Sequence, residues 1–359
     1  MESKTAHKIV VLGCGAIGGL AGIYLSDAGY DVTLTDKWEE HVEAIKAGGM
    51  RTDGVRGERH FNVKACHVRE LKENLDYLII ATKSHHTAEA IESVRHLITP
   101  STTVISMQNG FNVEILANYV SEKQIVGTVP NYGGALVEPG HLEFVHEGPI
   151  HIGELTGEVT DRLKWLKEAY SNLTTTYVTD NIMGEIWGKQ CYFSQITLTA
   201  LVDAPVHAVL DVPEYRRLGF ILVREALDVA DAAKVVIPPS ASFDPAMYRT
   251  KTSEDTKKLE AYWDKYLDQL SRHQMKDTHN YVKTASGVWW DIVYRRRKSE
   301  TQGLTGAVVD KAKLYGVNVP LNERLVQMIY EIEAGKRSLG WDNIRELDDY
   351  RKSLGLELP

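Results

Sequence analysis

Apolar runs and their spacing divide the chain into two halves of different texture. In the first half, short continuous hydrophobic stretches alternate with segments of helical period. Ile9–Leu12, Asp31–Thr35, Tyr77–Thr82, Thr102–Met107 and Gln124–Val129 read as strands. Leu20–Ala28, Lys37–Ala47, Thr87–Ile98 and Asn112–Val120 read as the helices between them. That alternation predicts a doubly wound parallel sheet. Gly140–Val145 and Pro149–Gly153 alternate polar and apolar residues and predict antiparallel strands closing the same sheet. The texture changes at Asp180-Asn181, two residues well suited to cap a helix. The expected division is therefore a sheet domain over 1–180 and an all-helical domain over 181–359. Helical periodicity then covers Ile186–Leu201, Leu222–Ala233, Glu254–His273, Thr305–Leu314 (stopping at Gly316) and Asn322–Ala334. In Glu254–His273, Leu259, Tyr262, Trp263, Tyr266, Leu267 and Leu270 share one face, with charged residues opposite.

The first strand runs directly into Gly13-Cys14-Gly15-Ala16-Ile17-Gly18. Glycines at this spacing let the chain turn, let backbone N–H groups approach a pyrophosphate and let the next helix pack closely on the sheet. Gly13, Gly15, Ala16, Ile17 and Gly18 are the expected phosphate contacts, at the positive end of the helix. The second strand ends at Asp36, where a carboxylate would grip the adenosine ribose; the alternative is a strand-end acid that starts the next helix. Strand, turn, helix, strand and acid in register point to dinucleotide binding. Ile9–Leu25 carries no charge, but its five glycines and the Ser26-Asp27 stop argue against a membrane span or a secretory signal.

Composition narrows the picture. The chain has 359 residues, 43% of them hydrophobic and 25% charged, with a net charge of −8, which argues against a nucleic-acid surface. Arg295-Arg296-Arg297-Lys298 is the one dense basic run, in a stretch compatible with a helix. Cys14, Cys66 and Cys191 are few, odd in number and far apart, so neither a disulfide framework nor a zinc site is expected, and the compartment reads as reducing and cytoplasmic. His85-His86 has no carboxylate or cysteine partner at ligand spacing, and no metal is expected.

The order of motifs resembles the ketopantoate reductase (2-dehydropantoate 2-reductase) family through nearly the whole chain. Gly13–Gly19 is similar to that family's G-x-G-A-I-G-G, Thr82-Lys83-Ser84 to its strand-end lysine, and Gln108-Asn109-Gly110 to its Q-N-G turn. Pro139-Gly140 and Gly153 resemble its closing strands, and Trp187-Gly188-Lys189 the W-x-K that begins its second domain. Ser286, Asp291, Lys298-Ser299-Glu300 and Gly306 follow the order of its carboxy-terminal pattern. The resemblance implies a Rossmann-type domain followed by a helical domain like the C-terminal part of 6-phosphogluconate dehydrogenase. It implies hydride transfer between a nicotinamide and a carbonyl or secondary alcohol, with Lys189 as general acid or base and Glu300 holding substrate and lysine in place. It further implies that Asn109 contacts cofactor and substrate and that Ser286 binds the substrate carboxylate. The alternatives are a snorkelling lysine, a surface carboxylate, an ordinary Asn-Gly turn and an N-cap serine, respectively.

Two departures change the expected specificity. Phe193 and Thr197 stand where the family carries asparagines that hydrogen-bond a polar substrate, and Trp289 and Trp290 stand where smaller residues are common. A buried phenyl ring cannot replace an amide donor, so a bulkier or aromatic substrate is expected in place of ketopantoate. Asp36 stands where the family usually pairs an arginine with the 2′-phosphate of NADP, which favours NAD(H), while Lys37 and Lys83 leave NADP(H) open. Two rivals are a catabolic NAD-dependent dehydrogenase of a bulkier or aromatic secondary alcohol and a non-catalytic dinucleotide sensor, against which the Lys189–Glu300 pair argues. The expected partners are a small carbonyl or alcohol substrate and a second copy in a homodimer, with no membrane or nucleic acid.

Overall fold

The structure is a computed structural model that describes residues 3–240, 243–249, 252–276 (backbone only from 269) and 285–357. It divides into two compact units, Met1–Met183 and Gly184–Pro359.

In the first unit the chain runs β1 (Lys8–Leu12), α1 (Ala16–Asp27), β2 (Asp31–Asp36), α2 (Glu39–Gly48), β3 (Met50–Gly54), β4 (Arg59–Phe61), β5 (Lys64–His67) and β6 (Tyr77–Ile80). It continues with α3 (Thr87–Val94), β7 (Thr103–Ser106), α4 (Asn112–Leu116), β8 (Ile125–Pro130), β9 (Gly133–Glu138), β10 (His141–His146), β11 (Ile150–Glu154), α5 (Asp161–Tyr170) and β12 (Thr176–Val178). Eight strands form the main sheet in the order β12-β11-β8-β7-β6-β1-β2-β5. The six from β8 to β5 are parallel, while β11 joins β8 antiparallel. Strand order reverses at β1, between β2 and β6, so the crevice of a doubly wound sheet opens at the carboxyl ends of β1 and β6.

One expectation needs correction. The 140–145 strand does not close the main sheet. As β10 it pairs antiparallel with β9 and parallel with β3 in a separate sheet, β4-β3-β10-β9. The alternation gave the right element, but period alone does not choose a partner strand. This second sheet also accounts for the charge-free stretch Ile9–Leu25. Helix α1 packs on β2 on one side and on β9 and β10 on the other, so Gly18 through Leu25 are all buried and there is no polar face to write into the sequence.

The second unit is helical throughout its described residues: α6 (Ile182–Leu198, starting at the end of the first unit), α7 (Val206–Leu210), α8 (Pro213–Ala232), α9 (Pro245–Tyr248), α10 (Ser253–Lys276), α11 (Gly287–Trp289), α12 (Thr305–Tyr315), α13 (Pro320–Glu333) and α14 (Trp341–Ser353). Gly316, in the left-handed region at φ 68°, ends α12 as the sequence predicts. Leu198, Leu218, Leu222, Leu321, Leu325, Ile329, Ile344 and Leu347 form one fully buried core that joins α6, α8, α13 and α14. The apolar face of α10 meets α6 and α9: Trp263 stacks on Tyr192 at 6.3 Å and 7°, and its Nε1 donates to Tyr248 Oη at 2.9 Å. Burying one such ring removes roughly 150–250 Å² from water, about 4–6 kcal/mol as an upper bound, so this segment buttresses α6. The side chain of Leu270 lies outside the described residues. The basic run is not helical: a π-helical turn, Trp290–Tyr294, ends before it, and Arg297 turns back to donate to Asp291 Oδ1 at 2.8 Å.

Candidate active site

In the first unit, three loops meet at the strand reversal. Gly13 has φ +95°, and a Cβ there would lie 3.0 Å from both the backbone N and Cγ2 of Thr82, so the β1–α1 loop presses directly on the end of β6. Gly15 differs: nothing lies within 4 Å of the place a Cβ would take. It is the N-cap of α1, which has no side-chain cap and no acidic residue in its first turn. The N–H groups of Ala16, Ile17 and Gly18 thus stand at the positive end of a helix that has no side-chain cap, an arrangement that suits an anion.

Asp36 accepts the Cys14 N–H on Oδ2 at 3.1 Å and the Trp38 N–H on Oδ1 at 3.0 Å. It thus starts the turn into α2 and holds the glycine loop, with lone pairs to spare for a further donor. Lys37 lies 3.4 Å from both oxygens of Glu89 on the surface, and that pairing holds the Glu89 carboxyl below its usual range. Lys83 follows β6, half-buried. Gln108 Nε2 donates to Thr82 O at 2.9 Å and Thr87 Oγ1 at 2.7 Å. Asn112 Nδ2 and Ser84 Oγ both donate to the Asn109 carbonyl, at 2.6 and 2.9 Å. This network locks the Thr82–Ser84 and Gln108–Gly110 turns together. It leaves Asn109 Oδ1 buried without a hydrogen-bond partner, a costly state unless a ligand donor meets it.

In the second unit, Lys189 and Phe193 lie one turn apart on α6, with Lys189 Nζ 5.7 Å from the Phe193 ring centroid. Burial pushes the Lys189 ammonium down to about 7, and the Glu300 carboxylate pulls it back up. Two bonds stitch the loop bearing Glu300 to α6. Gln190 Nε2 donates to Gly303 O at 3.0 Å, and the Thr197 and Thr305 hydroxyls bond at 2.8 Å. Thr197 is therefore fully buried against α12, whereas Lys189 and Phe193 remain partly exposed. Ser286 is buried and caps α11, its Oγ accepting the Trp289 N–H at 3.2 Å. Trp289 and Phe193 lean on the same core cluster, and Trp289 Nε1 donates to Asp203 Oδ1 at 3.1 Å. A hollow of about 270 Å³ lies between Asp203–Pro205 and Trp289, Trp290 and Tyr294. The indole N–H of Trp290, one of the lining residues, is buried without a partner.

The family models agree in both halves. Residues 9–157 match the model of ketopantoate reductase PanE/ApbA and residues 181–333 that of its C-terminal domain. The chain belongs to the ketopantoate reductase family. It is an oxidoreductase of that type. It is 29% identical over 334 residues to the 2-dehydropantoate 2-reductase of Pyrococcus abyssi, covering 91% of this chain and 98% of the relative. Among solved structures it resembles a D-mandelate dehydrogenase with NADH and anilino(oxo)acetate (TM-score 0.75, 21% identity, 92% of this chain and 99% of that one). It also resembles a PanE/ApbA family ketopantoate reductase from Ralstonia eutropha JMP134 (TM-score 0.74, 22% identity, 92% and 100%). At these identities the two structures speak for the fold alone.

Within this family fold, the expected site residues fall into two groups. Gly13–Gly18, Asp36, Lys37, Lys83 and Asn109 are in the first unit; Lys189, Phe193, Thr197, Ser286 and Glu300 are in the second. Sequence reasoning missed Gln190, which anchors the Glu300 loop, and Trp38 and His41, which pack behind the glycine loop; no local motif marks any of them. Among the described residues there is no group of three or more His, Cys, Asp or Glu side chains placed to hold a metal, and no helix long and apolar enough to cross a membrane.

Proposed function

We propose that this protein transfers hydride between a nicotinamide dinucleotide and the carbonyl carbon of a 2-oxo acid bulkier than ketopantoate, with NAD(H) preferred. The observation that carries the reading is Lys189: a partly desolvated ammonium whose proton affinity is lowered to about 7, near a carboxylate that keeps it from falling further. A proton donor balanced near neutral pH is matched to protonating a carbonyl oxygen as hydride arrives, and to taking the proton back in the reverse direction. The bound dinucleotide supplies or accepts the hydride at its nicotinamide. The chain's own residues do the rest. The α1 N–H groups and Gly15 would hold the pyrophosphate, Asp36 the ribose hydroxyls, and Asn109 Oδ1 a donor of cofactor or substrate. Lys189 donates the proton, and Glu300 keeps its charge available.

Phe193 supports the choice of substrate. Its ring sits one turn from the proposed acid, where a polar substrate would need hydrogen bonds, and an apolar or aryl substituent would gain contact there. The D-mandelate dehydrogenase fold relative acts, by its name, on an aryl 2-hydroxy acid, which fits the same class. The test is steady-state reduction of phenylglyoxylate and ketopantoate with NADH and NADPH. The expected result is at least about tenfold higher kcat/KM for the aryl acid with NADH. A kcat/KM of roughly 10⁴ M⁻¹s⁻¹ or more on ketopantoate would return the chain to pantoate chemistry.

A further inference from the structure

Behind the glycine loop sits a histidine that the chemistry above does not use. His41, on α2, is fully buried, and both ring nitrogens are engaged at 3.0 Å, Nε2 with the Cys14 carbonyl and Nδ1 with the backbone N–H of Gly140. An N–H can only donate and a carbonyl can only accept, so the bonds themselves fix the tautomer. Nδ1 is the bare acceptor, and Nε2 carries the proton and donates it to Cys14. The Trp38 indole stacks on the ring at 5.5 Å and 19° and holds its plane. Gly140, the glycine of the Pro139-Gly140 turn, has φ +75°, and a Cβ there would come within 3.2 Å of Ala44 on α2, so the turn lies close on α2 at its N–H.

The consequence lies one atom further along the chain. The Cys14 carbonyl and the Gly15 N–H belong to one planar trans peptide, so they point in opposite directions. With the Cys14 N–H held by Asp36 and its carbonyl by His41, the Gly15 N–H is aimed away from the protein core. Gly15 is also the position with nothing within 4 Å of an added Cβ. Glycine is the residue at which such a peptide turns over most readily, so without the histidine this N–H would lose its fixed direction.

We propose that His41 is a positioning residue for the dinucleotide: by clamping the Cys14 carbonyl, it orients the Gly15 N–H toward the pyrophosphate. This rests on the dinucleotide reading of the glycine loop. Calorimetric titration of NADH and NADPH into the purified protein comes first. If wild type binds neither, that reading and this inference fall together. Three variants then isolate the inference. His41→Phe keeps a ring and loses both bonds, and NADH should bind about tenfold more weakly, with kcat at saturating NADH within about twofold of wild type. His41→Asn places an acceptor where Nδ1 was, keeps the tie to Gly140 and loses the bond to Cys14; it should be weakened almost as much. His41→Gln can offer a donor to Cys14 and an acceptor to Gly140 and should recover to within about threefold. A purely structural histidine would lower the melting temperature of these variants but leave the NADH affinity of the folded protein at the wild-type value. That result in His41→Asn, or equal weakening in all three, would overturn the proposal while leaving the dinucleotide reading intact.

Discussion

The two units hold their chemistry by opposite means. In the first, the groups proposed to hold the dinucleotide are mostly backbone: the N–H groups at the start of α1, next to a glycine turn and the peptide of Cys14, with side chains such as Asp36 and Gln108 bonded largely to main-chain turns. In the second, the proposed reactive group is a single ammonium, and burial is what brings its proton affinity into the range the proposed chemistry needs. A backbone site tolerates side-chain changes that keep its turns. A desolvated side chain has no substitute, and anything that admits water or removes its counter-charge alters its proton affinity.

The largest effect should come from removing that ammonium. Lys189→Ala is expected to lower kcat by about a hundredfold or more, the scale of a lost general acid, with NADH affinity nearly unchanged because Lys189 is not among the groups proposed to hold the dinucleotide. Stopped-flow hydride transfer and a binding titration check the two halves of the statement. The pH profile sharpens it. Reduction needs the protonated lysine, so kcat should fall as pH rises through about 7, while oxidation of the alcohol needs the neutral amine and should rise through the same range. Glu300 raises the Lys189 value, so Glu300→Gln should move both midpoints to lower pH. A midpoint that stays in place would mean that Glu300 does not act on the lysine.

A smaller change is expected where the two means of recognition differ within the second unit itself. Phe193→Asn restores an amide one turn from Lys189, and the ratio of kcat/KM for ketopantoate to that for phenylglyoxylate should rise about tenfold, the worth of one well-placed hydrogen bond. Below that comes the cofactor choice. Asp36→Asn retains an acceptor for one backbone N–H and removes the charge; the preference for NADH over NADPH should shrink a few-fold in paired binding measurements. Asp36→Ala should weaken both nucleotides, because the Cys14 N–H loses its partner.

The same contrast explains what could be read from the sequence. Backbone chemistry leaves a signature, because the conformation and crowding at Gly13 restrict that position to glycine; the loop, the strand-end acid and the alternating strands were all legible. The second sheet was not, because β3 and β4 are short and lie in a polar stretch, and the partner of β10 is set by packing on α1. In the helical unit, Lys189 and Glu300 were placed by resemblance. What joins them, Gln190 to Gly303 and Thr197 to Thr305, depends on tertiary contacts more than a hundred residues apart in sequence. The desolvation of Lys189 is likewise a property of the packed unit and cannot be written in a motif.

Charge in the second unit should matter only where water is excluded, and a network around the partly exposed Glu346, drawn from α13, α14 and the loop between them, provides the counter-case. Glu346 accepts from Arg337 Nη1 at 2.7 Å and also pairs with Arg324, and Arg337 Nε donates to Glu331 at 2.7 Å. The hydrogen bond from Arg337 is the main cause that holds the Glu346 carboxyl down to about 2, against an ordinary 4.5. Because the folded value is the lower one, the folded state binds fewer protons between these limits. The stability this pairing contributes is present above about 4.5 and is lost as pH falls through about 2. The Glu346 side chain is nevertheless 45% exposed, so screening by water keeps the contribution small, below about 1 kcal/mol. Glu346→Gln should therefore lower the melting temperature at pH 7 by only a few degrees, flatten the acid limb of stability between about pH 4.5 and 2, and leave kcat and its pH midpoint untouched. A shift of the catalytic midpoint in this variant would show that charge acts across the helical unit without desolvation, and the contrast between its buried and exposed charges would fail.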